Sequence, residues 1–141
     1  MRNNDKQLRE ALASWLNRYH WDWFCTLSFN LPVKDTITAK RHFKRWIDKD
    51  VQPYVAQSVR YFVCVERFSH WDGCHLHSLV SVGYEDTLYG RMNYLILPFW
   101  NAWRRGHGAA RIVLYEPYRG AIYYLTKYVT KDIYDWDIKL N

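Results

Sequence analysis

Leu8, Leu12, Trp15, Leu16 and Tyr19 recur at helical spacing, which predicts an amphipathic helix over roughly residues 4–19. Trp23-Phe24-Cys25-Thr26-Leu27-Ser28-Phe29 is a β-rich run closed by Asn30-Leu31-Pro32, the pattern of a first strand. From Thr36 to about Asp50 the period is helical again. Phe43, Trp46 and Ile47 form its apolar side, and Lys40, Arg41, Lys44, Arg45 and Lys49 a basic one. Two strands follow, Ser58–Glu66 with Val59, Tyr61, Val63 and Val65 alternating, and Cys74–Val82. Between them lies His70-Trp71-Asp72-Gly73, whose Asp-Gly pair is a turn signal, so the two runs are expected as an antiparallel hairpin. Residues 85–105 read as a helix that is interrupted or started afresh near Pro98. Ala110–Tyr115 reads as a short strand, and 120–131 as a last helix. The order α-β-α-β-β-α-β-α predicts an α+β fold: a central antiparallel sheet, ferredoxin-like or RNA-recognition-like, with flanking helices. No repeat, low-complexity tract or linker divides the chain, so residues 1–141 are read as one domain.

Composition narrows the partners. The chain is 49% hydrophobic and 24% charged, enough apolar surface to repay its ordering entropy, which excludes global disorder. Its 8 Trp, 12 Tyr and 6 Phe exceed what a core of this size needs, so some rings are expected to face a ligand. Twenty Lys and Arg against fourteen Asp and Glu leave a net charge of +6. Positive charge with surplus rings suits nucleic acid, where cations neutralise phosphates and rings stack on bases. Cys25, Cys64 and Cys74 form no C-x-x-C pair, and Cys25 and Cys64 lie in apolar runs, as reduced core thiols in a reducing compartment do. Neither a signal peptide nor a membrane span is expected, because no apolar stretch follows the first residues and no window approaches 18 apolar residues. The absence of G-x-x-x-x-G-K-[ST] excludes a P-loop nucleotide motor.

His75-Leu76-His77 falls inside the second hairpin strand, where residues two apart share a face, so both imidazoles stand side by side. Six histidines in this length give about a quarter of an H-x-H by chance, so the spacing alone does not decide. Glu66 adds to it: the residue ends the partner strand, and its carboxylate would join the same face. Two imidazoles and one carboxylate, with places left open, suit Mg²⁺ or Mn²⁺ in catalysis rather than a closed structural zinc site. His20, His42, His70 and His107 have no such company and are read as surface or packing residues.

Tyr124-Leu125-Thr126-Lys127-Tyr128-Val129-Thr130-Lys131 repeats Tyr-x-x-Lys twice. On a helix Tyr124 and Tyr128 stack one turn apart, each with a lysine, Lys127 or Lys131, three residues on. An amphipathic helix with snorkelling lysines would look similar. The doubling favours chemistry, since a phenol with a pKa of about 10 needs a cation nearby to act as a nucleophile. Tyr123 points about 100° away round the helix and is read as packing.

The chain resembles the HUH superfamily of single-strand endonucleases, in particular the rolling-circle replication initiators (Rep proteins). Phe24-Cys25-Thr26-Leu27-Ser28-Phe29-Asn30 is similar to the family's first, strand motif. Cys74-His75-Leu76-His77-Ser78-Leu79-Val80 is similar to its His-hydrophobic-His motif, and 124–131 to its catalytic tyrosine helix. Glu66 stands where many relatives carry a third metal ligand, and the resemblance spans roughly residues 22–132. It implies an HUH endonuclease fold and a metal-dependent nicking-joining enzyme. Glu66, His75 and His77 would hold Mg²⁺ or Mn²⁺, and Tyr124 or Tyr128 would form a 5′-phosphotyrosine, with Lys127 and Lys131 stabilising charge. The substrate would be single-stranded DNA at a replication origin, alone or beside a hairpin. Arg41, Lys44, Arg45, Arg104 and Arg105 would contact phosphates, and Trp71 would stack on bases.

Without a helicase domain, such a protein would borrow a host helicase and polymerase. It would work as a monomer or weak dimer in the cytoplasm of a prokaryotic host, encoded by a plasmid or virus. Three rivals stay open. A single-tyrosine HUH transposase keeps this motif order, though its histidine motif usually sits in a different local sequence from Gly73-Cys74. A non-catalytic RNA-recognition-like binder explains charge and rings but leaves both constellations as coincidences. A water-using metal hydrolase gives the tyrosines no role.

Overall fold

The computed structural model describes residues 3–68, 73–83, 89–117, 120–123, 125–126 and 135–141, with the backbone alone at 3 and 89–95. The elements are α1 (Asn3–Leu16), β1 (Trp23–Leu27), α2 (Thr36–Trp46), β2 (Arg60–Arg67), β3 (Cys74–Ser81), α3 (Tyr89–Gly106), β4 (Ala110–Leu114) and β5 (Trp136–Lys139). A π-turn over Ile47–Val51 and a short 3-10 turn over Gln52–Tyr54 continue α2. Residues 121–123 and 125–126 are helical.

The five strands lie in the order β4-β1-β3-β2-β5, and every neighbouring pair is antiparallel. The fold is α+β. The first four strands, with α2 and α3 as crossovers, form the split β-α-β arrangement of ferredoxin-like sheets. β2 and β3 pair as the expected hairpin, from Arg60 opposite Ser81 to Arg67 opposite Cys74. Gly73 sits in that turn at φ 121°, a backbone region that glycine enters without steric cost.

Both faces of the sheet are covered, which is why β2 and β3 read as nearly continuous apolar runs. On the first face Trp23, Cys25, Leu27, Tyr61, Val63, Val65, Leu76 and Val80 pack against α2 and α3 through Phe43, Trp46, Phe99 and Trp103. On the second face Phe62, Cys64 and Leu79 meet Ala13 and Leu16 of α1, together with Ile122 and Leu125. Asp22, buried just ahead of β1, accepts backbone N–H groups of Val82 (2.7 Å) and Gly83 (3.2 Å) and pairs with the His20 ring at 2.9 Å. Gly108 lets the chain after α3 press on the end of β1, since a Cβ there would fall 2.6 Å from the Ser28 carbonyl oxygen.

The structure departs from the sequence reading in three places. α3 runs through Pro98 without a break. An internal proline costs about 3 kcal/mol. Burial of Phe99 and Trp103, worth about 2–3 kcal/mol each, offsets that, and the Trp46 indole donates to the Phe99 carbonyl at 3.0 Å. α1 stops at Leu16 rather than near 19, because Tyr19 N–H and the Trp21 indole both turn back onto the Leu16 carbonyl. The strand β5, which no expectation included, pairs with β2 at the sheet edge. Among the described residues no helix is long and apolar enough to cross a membrane.

Candidate metal centre and nucleic-acid interface

Strand register brings the first constellation together. Glu66 is paired with His75, and His77 with Cys64 on one side and Thr26 on the other. The alternation of the pleat therefore puts Glu66, His75, His77 and Thr26 on the second face. The Nε2 atoms of His75 and His77 are 3.0 Å apart. His77 Nε2 lies 3.2 Å from Glu66 Oε1, and His75 Nε2 contacts that same oxygen. Phe68 packs on the His75 ring with centroids 4.9 Å apart, which holds the imidazole in place. The His77 side chain is nearly buried, whereas His75 and Glu66 keep some solvent contact.

Three donor atoms within 4.8 Å of one another can hold a metal ion. Donors about 2.1 Å from an ion and at right angles to each other lie ~3.0 Å apart, so the 3.0 and 3.2 Å separations suit neighbouring corners of an octahedron. A three-residue set of this kind leaves further corners for water or substrate oxygen. The donor chemistry, two imidazoles and a carboxylate, fits a divalent ion.

The register also shows what the sequence reading passed over. Arg111 of β4 is paired with Thr26, which is paired with His77, so an exposed guanidinium stands two strands from the triad on the same face. With strands about 4.8 Å apart, its backbone lies ~10 Å from that of His77, within reach of a long side chain. The sequence signal was faint: one arginine in a short strand, whose pairing is fixed only by long-range register.

The layer over this face includes residues 121–126 as far as they are described. Arg9 of α1 holds it. Its guanidinium donates to Thr126 Oγ1 (3.2 Å) and the Tyr123 carbonyl (3.0 Å), and lies 4.2 Å from the Tyr123 ring centre. Tyr123, expected to pack, is the ring under that cation. Leu125 is fully buried, its carbonyl 3.7 Å from Cys64 Sγ. Tyr124, Lys127, Tyr128, Lys131, Trp71 and His70 lie outside the described residues.

The remaining cations fall on the other side of the sheet. Lys40, Arg41, Lys44, Arg45 and Lys49 line a groove between α2 and β5, together with Ile37, Asp48 and Asp137. Arg104 and Arg105 are exposed in the last turn of α3 and do not join it. Arg104 stacks on Trp100 at 4.4 Å, and Arg105 lines a separate hollow with Asp50 and Tyr54. His42 and His107, read as packing residues, meet with ring centres 4.9 Å apart beside Phe29 and Trp103. All three cysteines are buried free thiols. Burial pushes the Cys25 thiol up to about 12 and that of Cys74 to about 11, so they act as core atoms rather than nucleophiles.

A family model described as replication-associated protein ORF2 matches residues 22–133. The chain belongs to that family. The match to the replication-associated family begins at the residue before β1 and takes in the whole triad. It agrees with a rolling-circle replication initiator. No curated protein and no solved structure matches the chain.

Proposed function

We propose that this chain is a nicking-and-joining endonuclease that initiates rolling-circle replication on single-stranded origin DNA. The observation that carries the reading is the convergence of Glu66, His75 and His77 on the sheet face that residues 121–126 pack against, in a replication-associated family. Tyr124 or Tyr128 is the nucleophile. Its phenolate oxygen forms a bond to the scissile phosphorus, the P–O3′ bond breaks, and the 3′ oxygen takes up a proton to become a free hydroxyl. The phenol's proton leaves to solvent, and Lys127 and Lys131 stabilise the phenolate. Mg²⁺ or Mn²⁺ on the triad supplies positive charge to the phosphate oxygen. The phosphotyrosine conserves the bond energy, so rejoining needs no ATP. Arg111 and the exposed Arg104 and Arg105 are proposed phosphate contacts, and Trp71 a stacking contact. Host helicase and polymerase extend the 3′ end in the cytoplasm.

The test is a covalent protein–oligonucleotide adduct on a denaturing gel, with Mn²⁺ and single-stranded pieces of the replicon that encodes the chain. An adduct that disappears with chelator and in the double variant Tyr124→Phe, Tyr128→Phe is expected. Cleavage without an adduct would replace the tyrosines by water and overturn the reading.

A further inference from the structure

The five cations of the α2 groove lie on the wrong side of the sheet to touch the nucleotide being cut. Phe43 and Trp46 of α2 pack on the first face, while Glu66, His75 and His77 share the second. Helix and sheet together separate the groove from the triad by more than about 10 Å. Whatever occupies the groove is another segment.

We propose that the α2–β5 groove binds the backbone of double-stranded DNA beside the cleaved strand, as in the stem of an origin hairpin; the role assigned to it rests on the nicking reading above. Two observations select a duplex. The first is charge: Lys40, Arg41, Lys44, Arg45 and Lys49 outnumber Asp48 and Asp137 along the groove. Lys40 to Lys49 extends about 13 Å along the helical segment, over which duplex DNA presents one phosphate charge per ~1.7 Å of axis. The second is what the lining lacks. Single-strand binders pair a cationic groove with aromatic platforms for unstacked bases. In a chain with 26 aromatic residues, none of the described residues lining this groove is aromatic. A cationic groove without rings reads phosphates and leaves bases stacked. β5 belongs to the groove through Asp137 and pairs with β2, the strand of Glu66. A duplex seated there would send its single-stranded arm round the β5 edge toward the triad.

The experiment measures the salt dependence of binding of the full chain to two probes, a mixed-sequence duplex of about 20 base pairs and an oligothymidine of about 12 nucleotides. The triple variant Arg41→Gln, Lys44→Gln, Arg45→Gln changes only exposed positions, and its melting temperature confirms the fold. Removing three phosphate contacts should flatten the log–log slope for the duplex by about 2.7. The oligothymidine slope should move by less than about 0.5, since those contacts lie away from the single-strand face. Equal flattening on both probes would mean that the groove holds the single strand. An unchanged duplex slope would mean that it holds no DNA. Either result overturns the proposal. Adduct formation is scored separately: if no adduct forms yet the duplex slope flattens, the nicking reading falls and the groove stands as a duplex site.

Discussion

Glu66 stands directly opposite His75 across the β2–β3 ladder, and the two side chains meet at the oxygen that also lies 3.2 Å from His77 Nε2. A direct cross-strand pair is the closest contact a sheet offers between side chains of different strands. A second histidine two residues on then completes a three-donor set without any loop. Such a site is as rigid as the sheet beneath it.

Manganese should therefore bind and stabilise the fold. At about 100 times its dissociation constant the gain is ~2.7 kcal/mol, which a melting curve resolves as a shift of several degrees. Glu66→Gln, His75→Ala and His77→Ala should each remove most of that shift. A wild-type melt indifferent to Mn²⁺ and Mg²⁺ would contradict the metal centre.

Arg111→Gln should weaken single-strand binding and adduct formation about 10-fold or more, the value of one charge-assisted hydrogen bond of about 1.5–3 kcal/mol. The Mn²⁺ melting shift should persist, because Arg111 is two strands away from His77. Binding and adduct formation at wild-type levels would remove Arg111 from the phosphate path.

The difference between Arg111 and the triad shows what the sequence could carry. His75-Leu76-His77 declares its shared face through the period of two, and the Asp-Gly turn fixes Glu66 opposite it. Both signals are local. Arg111 reaches the same face only through β4 pairing with β1 and β1 with β3, a chain of long-range registers that no window of residues contains. The same holds for β5, whose four residues pair with a strand more than seventy positions earlier. Pro98 misled for a different reason: the local cost of proline was legible, while the burial of Phe99 and Trp103 that outweighs it is tertiary.

Arg9→Met should loosen the layer over the site. It removes the donors to Thr126 Oγ1 and the Tyr123 carbonyl but keeps an apolar stem. A loss of about 2 kcal/mol is expected, with faster amide exchange at 121–126 than in the sheet. Unchanged exchange there would show that Leu125 and Ile122 hold the layer unaided.

Acid should weaken the fold through His42 and His107. Burial holds both imidazoles below their ordinary pKa, with Arg45 and Arg41 adding to it at His42, and the His42 charge at His107; Asp50 opposes the shift at His107. A histidine with a depressed folded pKa binds fewer protons when folded than when unfolded, so its contribution is complete above about pH 6.5 and falls as pH drops below that. Urea titrations at several pH values should show the decline, and His42→Gln should make it shallower. A stability that rises on acidification from pH 7 to 5 would refute this account.

The choice of nucleophile is the remaining chemical question. Tyr124 and Tyr128 are four residues apart in sequence, each followed after three by a lysine, so charge does not separate them. Single-tyrosine relatives keep one of the two places, and some carry a glutamate at the earlier one as a base for water. Here that place holds Tyr124, which leaves no carboxylate to activate water and favours two tyrosines alternating between cleavage and transfer. Tyr124 is expected to make the first cut. Tyr124→Phe should abolish the first adduct while still accepting a strand presented as a preformed donor, and Tyr128→Phe should form the first adduct but fail to transfer it. The readout is adduct formation and strand transfer scored separately on single-stranded oligonucleotides. Loss of the first adduct with Tyr128→Phe alone would make this a one-tyrosine enzyme. An adduct surviving the double change would place the nucleophile outside both.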